Sequence, residues 1–221
     1  MEKISLNKTK LSNKYAFWFK ISKEAIKNNQ QNQNKYESQF KKISEFATIE
    51  DFWAVYQHLK KPDNCDPGIE LHLFKESIKP LWEDESNKNG GKLIFKCNKG
   101  YTSIIWEEII LRVLGGLIPK DLSDNINGII FRSKKEYNIL EIWFKEFYKN
   151  YCDQLEQYIR EDIQIPKEVP IDFKKIYNDD NQKNKQYKKS NYNLKNYNDQ
   201  RNYSRYHNNN YYYNKNKNYN Y

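Results

Sequence analysis

The chain is expected to fold as an α+β domain built on an antiparallel sheet, followed by a segment that cannot join it. Three observations carry this. Apolar runs of strand length are separated by turn clusters and hairpin-length links, which favours antiparallel pairing over long crossovers. Three stretches, opening at Thr48, Ser103 and Glu146, have helical periodicity. From Asn178 onward Leu194 is the sole Leu, Ile or Val, so the segment cannot bury enough surface to offset its ordering entropy. The expected organisation is a flexible arm over 1–14, a folded domain over 15–177 and a disordered Asn/Tyr/Lys-rich tail over 178–221.

Each element has a local reason. Tyr15–Ile21 is a run of aromatics and reads as a strand. Residues 22–35 are rich in Lys, Asn and Gln without a pattern and read as a loop ending at Tyr36. Thr48-Ile49-Glu50-Asp51 has the form of a capping box and opens a helix to about Leu59. Ile49, Phe52, Tyr56 and Leu59 form its core stripe, and Trp53 stands off that stripe. From the residues alone, Trp53 either packs an edge or offers a partner site, and packing is the ordinary outcome. Lys61–Gly68 is a loop, and its Asp63-Asn64-Cys65-Asp66 cluster lacks the EF-hand spacing and closing Glu. Glu70–Lys75 and Leu93–Cys97 read as strands on either side of a loop punctuated by Pro80 and Gly90-Gly91. Ser103 caps a helix that Gly115-Gly116 stops. Ile129–Lys134 and Asn138–Phe144 form a hairpin around Lys135-Glu136-Tyr137. A third helix runs from Glu146 to Gln164 and stops before Pro166.

The 221 residues carry a formal charge of +9, of which the tail, with nine Lys/Arg against three Asp, holds +6. A mildly basic body with a strongly basic tail points to nucleic acid as the partner class. No run of 18 apolar residues indicates a membrane span, and the polar, Lys-rich start is not a secretory signal. Cys65, Cys97 and Cys152 are odd in number and far apart, as for reduced thiols of a cytosolic or nuclear protein. No nucleophile–base pair stands out, no Cys/His spacing makes a zinc site, and Lys88–Lys92 lacks phosphate-loop spacing. The expectation is a protein without catalytic activity, metal or cofactor. Histidines 58 and 72 read as packed or surface residues.

The stretch Phe74–Lys92 carries the binding chemistry. Trp82 offers a π face on a loop, and Glu83 beside it offers two acceptor oxygens to a pair of N–H donors such as those on the edge of guanine. A positively charged guanine would add a cation–π contribution of roughly 0.5–2 kcal/mol. Leu-Phe-Lys-x-x-Ile-Lys-Pro-x-Trp-Glu-Asp-x-x-Asn-Lys-x-Gly-Gly-Lys, over 73–92, resembles the central signature of the eukaryotic translation initiation factor 4E family of mRNA cap-binding proteins. Landmarks of the resemblance extend from about Leu11 to Tyr177. It implies a curved antiparallel sheet with three helices on the convex side and the cap in the concave side.

The resemblance further implies site roles. The N7-methylated, cationic cap guanine would lie between Trp82 and the aromatic at Tyr36, with Glu83 reading its edge. Lys134 falls at the family's phosphate-binding Arg/Lys position on the strand before the last hairpin turn, with Arg132 on the same face. A second phosphate Lys, four residues before the last Trp, is Ile139 here. Lys92 matches a further basic position, and Trp143 the Trp that contacts the N7 methyl. Trp53, with Ile49, Leu111 and Gly115, matches a dorsal surface that takes a helical Tyr-x-x-x-x-Leu-Φ peptide of a 4G-type scaffold or a 4E-binding protein, which reverses the packing expectation for Trp53. Tyr15 and Tyr36 at two family Trp positions, and Ile139, are most similar to class II, the 4E homologous proteins.

The expected function is a cytoplasmic or nuclear, monomeric cap-binding regulator of translation initiation, acting on capped mRNA and a helical protein partner, with no membrane association. Alternatives are a general initiation factor that recruits the scaffold, a 4E-like interaction module that no longer binds caps, and a nonspecific single-strand RNA binder using the tail.

Overall fold

The computed structural model describes residues 8–22, 40–165 and 169–176. Its strands are β1 (Lys10–Ile21), β2 (Phe40–Thr48), β3 (Ile69–Lys75), β4 (Gly91–Asn98), β5 (Ile126–Ser133), β6 (Tyr137–Phe144) and β7 (Ile171–Lys175). The helices are α1 (Ile49–Tyr56), α2 (Glu85–Lys88), α3 (Thr102–Leu114), α4 (Lys120–Ser123) and α5 (Lys149–Asp162). All seven strands join one curved sheet in the order β2-β1-β3-β5-β6-β4-β7, and every pairing is antiparallel. The α+β expectation with three substantial helices holds, and α2 and α4 are single turns.

Alternation along the strands divides the sheet into two faces. Phe17, Leu71, Leu73, Leu93, Phe95, Ile129, Phe131, Leu140, Ile142 and Phe144 share one buried core with Phe52 and Tyr56 of α1, Trp106, Ile109 and Ile110 of α3, and Leu155 and Ile159 of α5. The three long helices therefore cover one face. The opposite face carries a separate small cluster of Phe74, Ile78, Ile130, Trp143 and Ile176.

Helix α1 begins where the capping signal places it. Thr48 Oγ1 accepts the Asp51 N–H at 3.2 Å and donates its hydroxyl to Asp51 at 2.8 Å. Helix α3 is capped differently from expectation. Ser103 lies inside its first turn, and Asp63, from the loop before β3, accepts the backbone N–H groups of Gly100 and Ser103 at 2.9 Å each. A carboxylate at a helix N-terminus satisfies orphan donors and opposes the dipole. At the other end Gly116 takes φ +67 and the Leu117 N–H reaches Arg112 O, the left-handed stop expected of the Gly pair. Arg112 pairs with Glu108 at 2.7 Å, and also reaches Tyr158 of α5.

Other boundaries differ. Strand β1 starts at Lys10, so residues 10–14 of the expected arm are strand, paired from Lys10 to Thr48. Strands β2 and β7 were not anticipated. Both are edge strands, β2 burying Phe46 alone and β7 no residue fully, so neither shows the alternation that marks a half-buried strand. Helix α5 starts three residues later than expected, with Tyr148 at its N-cap. All three cysteines are free and buried.

Candidate functional site

The Trp82 loop connects β3 to β4 and is fastened at several points. Asp84 caps α2, accepting the N–H groups of Ser86 at 3.0 Å and Lys79 at 2.9 Å. Asn87 is fully buried and donates its amide to the carbonyls of Lys79 and Leu81 at 3.0 and 2.7 Å. Asn127, on β5, donates in turn to Asn87 Oδ1 at 2.9 Å and to Ser86 O at 2.7 Å. The loop is thus tied to itself and to the middle of the sheet. Trp82 is half-buried against the open-face cluster that contains Trp143 and Phe74, while Glu83 is exposed. Phe74 stands edge-on to Trp143, with ring centroids 5.7 Å apart. Gly128 makes this floor possible, because a Cβ there would lie 2.3 Å from the Phe74 ring.

Beside the aromatic cluster runs a row of alternating charge across five neighbouring strands. Lys20 of β1 lies 3.7 Å from Glu70 of β3. Arg132 of β5 bonds Glu70 at 3.2 Å and also contacts Glu141 of β6. Lys92 of β4 reaches the Glu141 oxygens at 3.3 and 3.4 Å. Register accounts for the row, since Lys20 is paired with Glu70 and Glu70 with Arg132, while Glu141 sits across from Ile94, two residues from Lys92. Trp143 Nε1 donates to Glu141 at 2.7 Å, which fixes the indole. His72 Nε2 lies 3.3 Å from Glu70 within the same layer.

Burial by itself would raise the carboxylates. For Glu141 the charges of Arg132 and Lys92 and the Trp143 N–H override burial and hold it below the usual range. Glu70 is brought down to about 2 because the adjacent His72 ring and the Arg132 charge outweigh burial. Burial lowers Lys92, against the pull of Glu141. Both carboxylates are therefore held in their charged form between cationic side chains, and the row is largely self-neutralising. Separate cations here would present a strong anion site; interleaved with carboxylates, they present a weak one.

Of the residues singled out in the sequence, Trp82, Lys92, Arg132 and Trp143 converge on this face. Lys134 is not on the strand. β5 ends at Ser133, and the Lys134 N–H closes the turn on Tyr137 O at 3.0 Å. The strand position next to the aromatic cluster belongs to Arg132, which is paired in register with Ile139. Tyr36 lies outside the described residues. On the helical face Trp53 is 40% exposed, touching Phe52 and Tyr56 edge-on, with Ile49 and Leu111 half-buried and Gly115 exposed. Sequence reasoning missed Glu70, Glu141, Asn87 and Asn127. Only Glu141 carried a signal, being two residues before Trp143 on the same face of β6.

The layout is that of a sheet domain with helices on one face and an aromatic, charged surface on the other. The chain belongs to the eukaryotic initiation factor 4E family, whose model matches residues 10–192. Eukaryotic translation initiation factor NCBP of Triticum aestivum is 41% identical over 108 residues, covering 49% of this chain and 46% of the relative. The chain thus spans about half the length of that relative. Eukaryotic translation initiation factor 4E of Xenopus laevis is 30% identical over 168 residues, 74% of this chain and 75% of the relative. Among solved structures, C. elegans eIF4E-3, in complex with the 4E-binding protein Mextli and a cap analog, shares the fold with a TM-score of 0.67. It is 24% identical, covering 76% of this chain and 93% of that one. Ascaris suum eIF4E-3, solved with the m2,2,7G cap, gives the same TM-score of 0.67. Among the described residues no helix is long and apolar enough to cross a membrane.

Proposed function

We propose that this chain binds the 7-methylguanosine cap of mRNA and regulates translation initiation as a cytoplasmic, non-catalytic, class II-like member of its family. The observation that carries this is Trp82, held on a stapled loop against the cluster of Trp143, whose ring has Lys92 at 5.8 Å and whose Nε1 bonds the Glu141 that Arg132 and Lys92 also hold. Trp82 stacks on the cationic base, and Tyr36 closes the other side. Glu83 accepts from the guanine edge, and Trp143 meets the methyl group. Arg132 and Lys92 face the phosphates, with Lys134 further out on the turn. Removing the methyl removes the positive charge and with it a cation–π contribution of roughly 0.5–2 kcal/mol per face.

The family membership supports this reading, as do cap complexes of proteins with the same fold. The NCBP relative and the tyrosines at positions 15 and 36 favour class II. On the helical face the exposed Trp53, with Ile49, Leu111 and Gly115, takes the helical Tyr-x-x-x-x-Leu-Φ peptide of a 4G-type scaffold or 4E-binding protein; the C. elegans complex with Mextli is in keeping with this. The test is titration of tryptophan fluorescence with 7-methyl-GTP and with GTP, in the intact chain and in Trp82→Ala. The methylated nucleotide is expected to bind at least tenfold tighter, about 1.4 kcal/mol, and to lose this advantage in the variant. Equal, weak binding of both nucleotides by the intact chain refutes the cap reading.

A further inference from the structure

The carboxylate of Glu141 is the least expected group on the open face. It is 3% exposed and lies between Arg132 and Lys92. Three donors converge on it: Arg132, Lys92 at 3.3 Å, and Trp143 Nε1 at 2.7 Å. The side chains of Arg132 and Lys92 keep 20% and 22% of their surface in solvent, so the contact opens onto the face rather than into the core.

A structural role explains only part of this. An indole N–H needs an acceptor, and a neutral amide or hydroxyl supplies one. The negative charge is needed only to balance the cations, and its effect there is that of a bound phosphate oxygen. Glu70 already holds the far side of Arg132 at 3.2 Å, so with Glu141 in place Arg132 has a carboxylate on each side. An incoming polyphosphate has to displace Glu141 from those partners or sit beside it as a like charge.

We infer that Glu141 is a specificity-determining residue that stands in for phosphate, so that this site recognises the methylated base while gaining little from the length of the phosphate chain. The inference rests on the cap reading above and deepens it: the preferred ligand class is a 7-methylguanine nucleotide whose base supplies nearly all the binding. Lys20 and Glu70 complete the row, so the charge balance next to the cluster changes sharply when Glu141 alone is neutralised.

The experiment is fluorescence titration of the full chain with the mono-, di- and triphosphates of 7-methylguanosine, with GTP as the unmethylated control. The intact chain is expected to gain less than about threefold between mono- and triphosphate, and Glu141→Gln to gain at least tenfold, about 1.4 kcal/mol. The glutamine keeps an acceptor for Trp143 Nε1, so a changed phosphate slope reports the lost charge rather than a released indole. A steep phosphate dependence in the intact chain, with the methyl preference intact, overturns the inference and leaves the cap reading standing; this arm needs no variant. Equal phosphate slopes in the intact chain and a folded Glu141→Gln also overturn it. Loss of methyl preference in the intact chain overturns the cap reading and the inference together.

Discussion

Replacing Asn87 by Ala removes three hydrogen bonds at once from the loop that carries Trp82. Asn87 is 0% exposed, and its amide donates at 3.0 and 2.7 Å while its oxygen accepts from Asn127 at 2.9 Å. The Lys79 carbonyl belongs to an exposed residue and can return to water, at little cost. Leu81 and Asn127 are 5% and 2% exposed, so their polar groups stay buried. Each satisfied neutral bond contributes about 0.5–1.5 kcal/mol net, and each buried group left unpaired costs about 1–3 kcal/mol. Asn127 keeps its second bond to Ser86 O, which puts the total at roughly 2–4 kcal/mol. Urea unfolding measures it directly, against Asn127→Ala and the double variant to isolate the coupling. Binding responds differently from stability. A looser loop has to be ordered on binding, so 7-methyl-GTP and GTP should both weaken by roughly threefold to tenfold while their ratio stays constant. A destabilisation below about 0.5 kcal/mol with unchanged affinities refutes the claim that this amide positions the Trp82 loop.

Three further outcomes follow from the same layer and from the opposite face. Gly128→Ala puts a Cβ 2.3 Å from the Phe74 ring; overpacking should cost about 1–3 kcal/mol, and near-ultraviolet dichroism should report the displaced Phe74–Trp143 pair. Acid should destabilise the domain through the buried layer of Glu70 and His72, because both bind more protons when unfolded. Burial holds His72 below its usual 6.5, so its share is lost as pH falls below that value. The share of Glu70 is lost between its usual 4.5 and about 2, up to roughly 3 kcal/mol, and Glu70→Gln should flatten that part of a stability–pH profile. Trp53→Ala, at a residue already 40% exposed, should cost under about 1.5 kcal/mol in stability yet abolish capture of a Tyr-x-x-x-x-Leu-Φ peptide measured by calorimetry.

What the sequence determined by itself was whatever short-range physics controls. Helix α1 follows from Thr48 and Asp51, three residues apart, and the end of α3 from Gly116 directly after its last turn. The β5–β6 hairpin and the central strands follow from alternation, because one face of each is packed against helices. The candidate aromatic Trp82 was legible because it and Glu83 are neighbours in a long ordered signature. The tertiary structure decided the rest, since the partners lie far apart in the chain. Asp63 caps a helix 40 residues away, Asn127 holds a loop 40 residues earlier, and Lys92 meets Glu141 across 49 residues. The edge strands β2 and β7 exist only because a neighbour offers them a ladder. Lys134 and Arg132 were equivalent by counting along the strand, and only the end of β5 at Ser133 separates them. Spacing puts Glu141 on the same strand face as Trp143, but nothing local marks it as buried. Pairing β6 between β5 and β4 turns it into a buried anion between two cations, because strand register, not local preference, sets which charges face one another.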